Sequence, residues 1–222
     1  MQTLAILLLL LSTWHVAAKV PSEEERSTIM ECHTKLRESV QPTASNMQLM
    51  TYSEELENLA QEYASACAPT YPKLVGRFEN VGFSVMLSND RSFQFDDLCK
   101  VNSSLYCFEK DTCSYDCQTY KRMVWATSTQ VGCAANKCRT LLSTSKPIYW
   151  LVCLYKPGVE LVDTRPYEAG HMCSKCQEGQ TCYRNQCTKD APSAGPTSTS
   201  SATIPLPLHI LALVTSLLQL FK

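Results

Sequence analysis

Residues 120–138 read YKRMVWATSTQVGCAANKC, and the fold turns on them. Val124 and Trp125 make a short apolar knot that runs directly into a strand-like segment closed by Cys133 and Cys138. Burying a side chain of tryptophan's size contributes about 2–3 kcal/mol, so Trp125 is expected as a core anchor. The pattern predicts a short helix over residues 119–125 and a strand over 130–134. If both cysteines are oxidised they fix this strand to two other parts of the chain, and whether they are oxidised depends on the compartment.

Thirteen cysteines in 222 residues is far above ordinary usage, and none of their spacings makes a metal signature with a nearby histidine. A disulfide framework in a secreted protein accounts for them. The start of the chain agrees. Residues 4–11 are an unbroken apolar run too short to span a bilayer, and Val16 and Ala18 are small residues three and one before a cleavage point, the pattern of a signal peptide. At the other end residues 204–221 are apolar except for His209, Thr215, Ser216 and Gln219, and only Lys222 follows. A polar spacer at 196–203 precedes this tail, and the small residues Ser193, Ala194 and Gly195 precede the spacer. That order is the signal for a glycosylphosphatidylinositol (GPI) anchor, with Ser193 as the attachment site; a single-pass helix followed by one lysine would have little to hold it in the bilayer.

The expected organisation is a signal peptide (1–18), a main domain (19–160), a cysteine-rich hinge (161–189), a Ser/Thr/Pro stalk with the anchor site (190–203) and a removed tail (204–222). Removing both ends takes only Lys222 from the 20 basic residues and leaves 21 acidic ones, so nucleic acid is not an expected partner.

Along the chain, Ser22 and Glu25 make a capping box, and Ile29, Cys32, His33, Leu36 and Val40 recur at helical steps until Pro42. Ser53 caps a second helix with Leu56, Leu59, Ala60, Tyr63, Ala64 and Cys67 on one face, stopped by Pro69 and Pro72. In residues 79–88 Val81, Phe83, Val85 and Leu87 alternate, as in a strand with one covered face. Residues 90–120 carry Cys99, Cys107, Cys113 and Cys117 and a glycosylation acceptor at Asn102; four cysteines allow three pairings. Residues 149–155, YWLVCLY, are apolar on both faces and so read as a central strand. Cys173, Cys176, Cys182 and Cys187 within fifteen residues read as a small disulfide knot rather than a zinc half-site.

Taken together these residues resemble the CAP superfamily, the cysteine-rich secretory, antigen 5 and pathogenesis-related proteins. YKRMVWATSTQVGCAANKC is similar to that family's GHYTQVVWANS stretch and the GC after it. IMECHTKLR is similar to its first-helix HNxLR, MTYSEELENLAQEYASAC to its second helix, ENVG to its GEN turn, and YWLVCLYKPG to its last strand, all in order over about residues 24–187. The resemblance implies an α+β fold, an α-β-α sandwich with a small antiparallel sheet between helix layers, plus a disulfide-knotted hinge. It also implies the pairs Cys67–Cys138, Cys133–Cys153, Cys173–Cys182 and Cys176–Cys187. Cys99, Cys107, Cys113 and Cys117 would then pair among themselves and leave Cys32 as a free thiol in the core.

Many members of that family have a cleft of two histidines and two acids able to hold a divalent metal. Here the GEN glutamate is Glu79, the histidine before YTQ falls on Thr119, the other histidine falls on Tyr71, and the second acid most nearly matches Asp97. Of four histidines, His15 and His209 lie in the two removable ends, which leaves His33 in a predicted helix core and His171 beside the hinge. No metal, no cofactor and no catalytic residue is therefore expected, because a triad needs a base that this cleft lacks. The expected function is non-enzymatic: a GPI-anchored binding module on the outer face of the plasma membrane, or shed from it, that engages an extracellular protein or glycan. Two alternatives come from the resemblance. One is carriage of a lipid, a sterol or a fatty acid, and the other, weaker, is protease inhibition.

Overall fold

A computed structural model of the chain describes residues 18–68, 70–139, 146–158 and 163–190. The predicted signal peptide up to residue 17, the predicted anchor site Ser193 and the predicted tail 204–222 lie outside the described residues. The described residues all fall in one compact unit, so the hinge belongs to the same unit as the main domain.

Helix α1 (Glu23–Glu38) starts where its capping box directs: Ser22 Oγ accepts from Glu25 N–H and the Glu25 carboxylate accepts from Ser22 N–H. It ends at the cap Ser39, before Pro42. Helix α2 (Glu54–Ala66) is capped by Ser53, whose hydroxyl accepts from Leu56 N–H at 3.2 Å, and stops at Cys67 with φ of 48°. The two helices are tied together by Glu57, which is buried yet takes two bonds from Arg26, at 2.8 and 2.9 Å, and one from the Tyr52 hydroxyl at 2.6 Å.

The main sheet has the order β1-β5-β6-β2, from β1 (Thr51–Tyr52), β5 (Gln130–Cys138), β6 (Ile148–Lys156) and β2 (Gly82–Ser88), while β3 (Tyr106–Cys107) and β4 (Thr112–Cys113) pair apart from it. β6 is central, as its two apolar faces require. The sheet is antiparallel except at β1, which pairs with β5 in parallel, Thr51 opposite Gln130. Two layers cover it. Leu56, Leu59, Ala60 and Tyr63 of α2 pack on Phe83, Ala134, Trp150, Val152 and Leu154. On the opposite face Ile29 and Cys32 of α1 meet Val131, Leu151, Cys153 and Tyr155, joined by Phe95 and Leu98 of the 3-10 turn Phe95–Lys100. This is the α+β sandwich that the resemblance implies.

Gly132 explains why the strand after the Trp125 knot needs a glycine. A Cβ there would lie 2.2 Å from the Glu57 amide nitrogen and 2.5 Å from the Leu56 carbonyl carbon, so the α2 backbone rests directly on the strand.

Three expectations change. The short helix α3 spans Gln118–Met123, and Val124, fully buried, takes the core position assigned to Trp125, which is only half-buried. The helix ends at Met123, two residues short of the expected end, and Trp150 is the tryptophan of the core. Strand β2 starts at Gly82 rather than Glu79, and its alternation stays covered only at the start: Val81 and Phe83 are buried but Leu87 is 61% exposed. Cys32 is not free. α1 packs on the 3-10 turn, which brings Cys32 to Cys99, Cα–Cα 4.6 Å, in a disulfide. Of the other three cysteines in that stretch Cys113 bonds Cys117, so Cys107, half-buried, is the free cysteine among the described residues. The bonds Cys67–Cys138, Cys133–Cys153, Cys173–Cys182 and Cys176–Cys187 are present.

The hinge, with strands β7 (Thr181–Tyr183) and β8 (Gln186–Thr188), is docked. Cys187 exchanges backbone bonds with the segment before β1, to Met47 O at 2.7 Å and from Leu49 N–H at 2.8 Å. Arg184 reaches α1 and donates to Glu31 and Glu38 at 2.5–3.2 Å.

Candidate functional site

The four cleft positions are reached by different elements and do not assemble into one ligand set. Tyr71, 60% exposed, stacks on Tyr63 of α2 at 6.1 Å between ring centroids and meets the edge of Phe83 at 5.4 Å. Glu79 caps the 3-10 turn Gly76–Phe78 and points to solvent. Thr119, in α3, is half-buried, and its Oγ1 is 3.0 Å from Ser84 Oγ. Asp97 belongs to the 3-10 turn whose Phe95 and Leu98 pack on the α1 face of the sheet, opposite to the face on which Tyr71 lies. Its carboxylate is already engaged by Arg91 at 2.7 and 2.8 Å, Lys100 at 2.6 Å and Gln94 N–H at 2.9 Å. The Arg91 hydrogen bonds, aided by Lys100, hold it well below the usual carboxylate range.

A divalent ion does not fit these residues. It would have to recruit a stacked phenol, a hydroxyl already bonded to another hydroxyl, and an acid neutralised by two cations, with Glu79 as the one open carboxylate. The histidines do not repair the site. His33 is fully buried; its Nδ1 donates to Ile29 O at 2.7 Å, and Nε2 then accepts from the Tyr155 hydroxyl at 3.1 Å. His171 is exposed in the hinge.

Two arginines that the motif reading passed over shape this end of the molecule. Arg122, buried, donates from Nε to Phe83 O at 3.1 Å and packs against Gly82. It puts a cation into the edge where the resembling family would hold a metal ion, and burial pushes its pKa down. The signal was legible: the family's YTQ is Tyr120, Lys121 and Arg122 here. Arg37 at the end of α1 is fully buried and donates to five carbonyls, those of Gln48, Met123, Trp125, Ala126 and Ser128, at 2.7–3.2 Å. It shapes the loop that leaves Trp125 half-exposed.

That loop borders an open groove of about 760 Å³ between the cysteine-rich segment and the entry to the hinge. Phe108 and Tyr167, stacked at 4.7 Å, form part of its lining together with Trp125, Asp111 and Arg165. Lys121 pairs with Asp111 at 3.0 Å and the Tyr106 hydroxyl donates to the same oxygen at 2.7 Å. Asn102, the glycosylation acceptor, is exposed near this segment.

The architecture defines a disulfide-stapled α-β-α sandwich with an edge unsuited to metal. The cysteine-rich secretory protein (CAP) family matches residues 30–155, and the chain belongs to that family. Over 194 residues it is 32% identical to human cysteine-rich secretory protein LCCL domain-containing 2, covering 79% of this chain and 38% of that protein, so the chain spans well under half of that relative's length. Peptidase inhibitor 15-A of Danio rerio is 31% identical over 188 residues, 75% of this chain and 70% of that one. Among solved structures, Schistosoma mansoni venom allergen-like protein 4 aligns with a TM-score of 0.53 at 30% identity, over 70% of this chain and 100% of that one.

Proposed function

We propose that this CAP-domain protein is a non-enzymatic binding module, held by a GPI anchor on the outer face of the cell, that engages an extracellular protein or glycan. The observation that carries the reading is the contrast between scaffold and cleft. The sandwich and its disulfides are intact, whereas of the four cleft positions only Glu79 is an open acid: Tyr71 is stacked on Tyr63, Thr119 is bonded to Ser84, and Asp97 is held by Arg91 and Lys100. The test is to release the protein from expressing cells with a phosphatidylinositol-specific phospholipase and measure its binding to cells and matrix. Release followed by saturable binding supports the reading; retention on the membrane removes the anchor, and the lack of any saturable site removes the module.

A second reading is supported by the name of a relative, peptidase inhibitor 15-A. Titration of trypsin-like and chymotrypsin-like proteases with the purified chain tests it, and undiminished protease activity at molar excess ends it.

A further inference from the structure

We propose that the groove beside Trp125 binds a carboxylated sugar, a sialic or uronic acid residue of a glycan, with Arg165 receiving the carboxylate and Trp125 the apolar face of the ring. This rests on the binding-module reading and gives its partner a chemistry.

The inference starts from the charges in the groove. Asp111 is paired with Lys121, and Glu168 is paired with Lys175. Arg165 differs. Its Nε donates to Phe108 O at 3.0 Å and one terminal nitrogen donates to Glu109 O at 2.7 Å, while the guanidinium lies over the Phe108 ring at 5.5 Å from the centroid. Among the described residues no carboxylate lies within ion-pair distance of it, and Asp111, which feels its charge at longer range, is already held by Lys121, so the guanidinium is open to an anion from outside. Two carbonyls and an aromatic stack hold the planar group still, which lowers the ordering cost of taking a planar anion.

Ring chemistry then selects a sugar over a simple anion. Trp125 lines the groove wall and is only half-buried, which leaves part of its indole to meet a ligand. The hydroxyls of Thr127 and Thr164, both exposed, stand on the same rim, whereas the Asn46 amide is taken up by Glu168. A pyranose offers C–H groups on one face and hydroxyls around its edge, and so matches an indole flanked by hydroxyls. An acidic peptide would need partners for its own amides, whereas the polar groups named here are side chains at the rim.

The test uses the full purified chain and calorimetric titration with 3′-sialyllactose and with a glucuronic-acid-containing tetrasaccharide; lactose and an acidic hexapeptide serve as controls. Expected is saturable binding of at least one acidic sugar and none of lactose. Arg165→Gln should weaken that binding by about tenfold or more, the scale of one charge-assisted contact. Trp125→Ala should weaken it as well, with far-UV circular dichroism and melting temperature of both variants reported to show that they fold. The sialyl and uronyl arms decide which acid is taken. Equal binding of lactose, acidic-sugar binding that survives Arg165→Gln, preference for the peptide, or no sugar binding each overturns the proposal. If sugar binding is absent but the released protein still saturates a site on cells, the module stands and the groove assignment falls.

Discussion

Ser84 Oγ and Thr119 Oγ1 lie 3.0 Å apart and join strand β2 to helix α3 through one side-chain hydrogen bond. Ser84 is buried on the edge strand, and Thr119 stands where the resembling family keeps a metal-binding histidine. A threonine hydroxyl is a weak ligand for zinc, and this one is already bonded. Zinc or manganese at tenfold excess is therefore expected to leave the melting temperature of the chain unchanged relative to EDTA in differential scanning fluorimetry. A metal-dependent rise abolished by Tyr71→Phe or Glu79→Gln would show that the cleft still binds.

His33 makes stability depend on acid. Burial is the main force holding its pKa down, to about 4, aided by the Arg37 charge, while its bond to Ile29 O works in the other direction. A histidine with a depressed folded pKa is neutral in the fold and protonates more readily when unfolded. Its stabilising contribution is therefore present above the unfolded value of about 6.5 and falls progressively as pH drops toward 4, by about 3 kcal/mol at most. Urea titrations from pH 7.5 to 4.5 should show that loss, and His33→Gln should flatten the part of the profile between pH 6.5 and 4.5.

Much of the fold was legible because its signals are local. Ser22 with Glu25, and Ser53 before an apolar face, fix where α1 and α2 begin, and the all-apolar 149–155 stretch could only be central. What failed depended on partners distant in the chain. Trp125 was read by its size, but its orientation is set by five carbonyls gathered on Arg37, a long-range arrangement with no periodicity. Cys32 looked like a core thiol because its partner, Cys99, sits in a 3-10 turn 67 residues away whose packing on α1 the pattern does not reveal. For the site, the missing histidines were visible in the sequence, yet the groove was not, since it joins residues 46, 108, 111, 125–127 and 164–169.

The cysteine assignment has a direct chemical test. Alkylation of the folded, unreduced protein should label Cys107 and leave Cys32 untouched, read by peptide mass spectrometry. Replacing both Cys32 and Cys99 with serine opens a 67-residue loop and is expected to cost about 4 kcal/mol by the chain-entropy argument. Cys107→Ser should leave the melting temperature within about a degree, as for a half-buried residue with no disulfide whose one contact, from Sγ to the Glu109 carboxylate at 3.6 Å, a serine hydroxyl can replace.

Arg184 predicts that the hinge is held by charge as well as by its backbone. The guanidinium bridges Glu31 and Glu38, about two turns apart on α1, and both acids strengthen its hold on the proton. The groups are partly exposed, so solvent screens the pairs and Arg184→Ala should cost only about 1 kcal/mol overall. The local effect should be larger: faster amide hydrogen exchange over residues 181–188, with α2 unchanged. Raising salt to 1 M should move the wild type in the same direction.

Arg37 is the residue whose loss should hurt most. It is buried, it carries its charge without a carboxylate partner among the described contacts, and burial pushes its pKa down to about 9, which leaves it cationic at pH 7. Five carbonyl oxygens converge on it from Gln48 and the Met123 to Ser128 loop, so truncation leaves a set of acceptors turned toward an empty site. Arg37→Ala is expected to destabilise the protein by about 3–5 kcal/mol. Lysine keeps the charge but offers three donors in place of a planar fork, so Arg37→Lys should recover less than half of that loss. Because the same carbonyls position Trp125, tryptophan emission should shift to the red in the alanine variant under conditions where far-UV circular dichroism is still native. An Arg37→Ala protein as stable as the wild type, or one that unfolds with no earlier change at Trp125, would mean that the loop is held by its own turns rather than by this arginine.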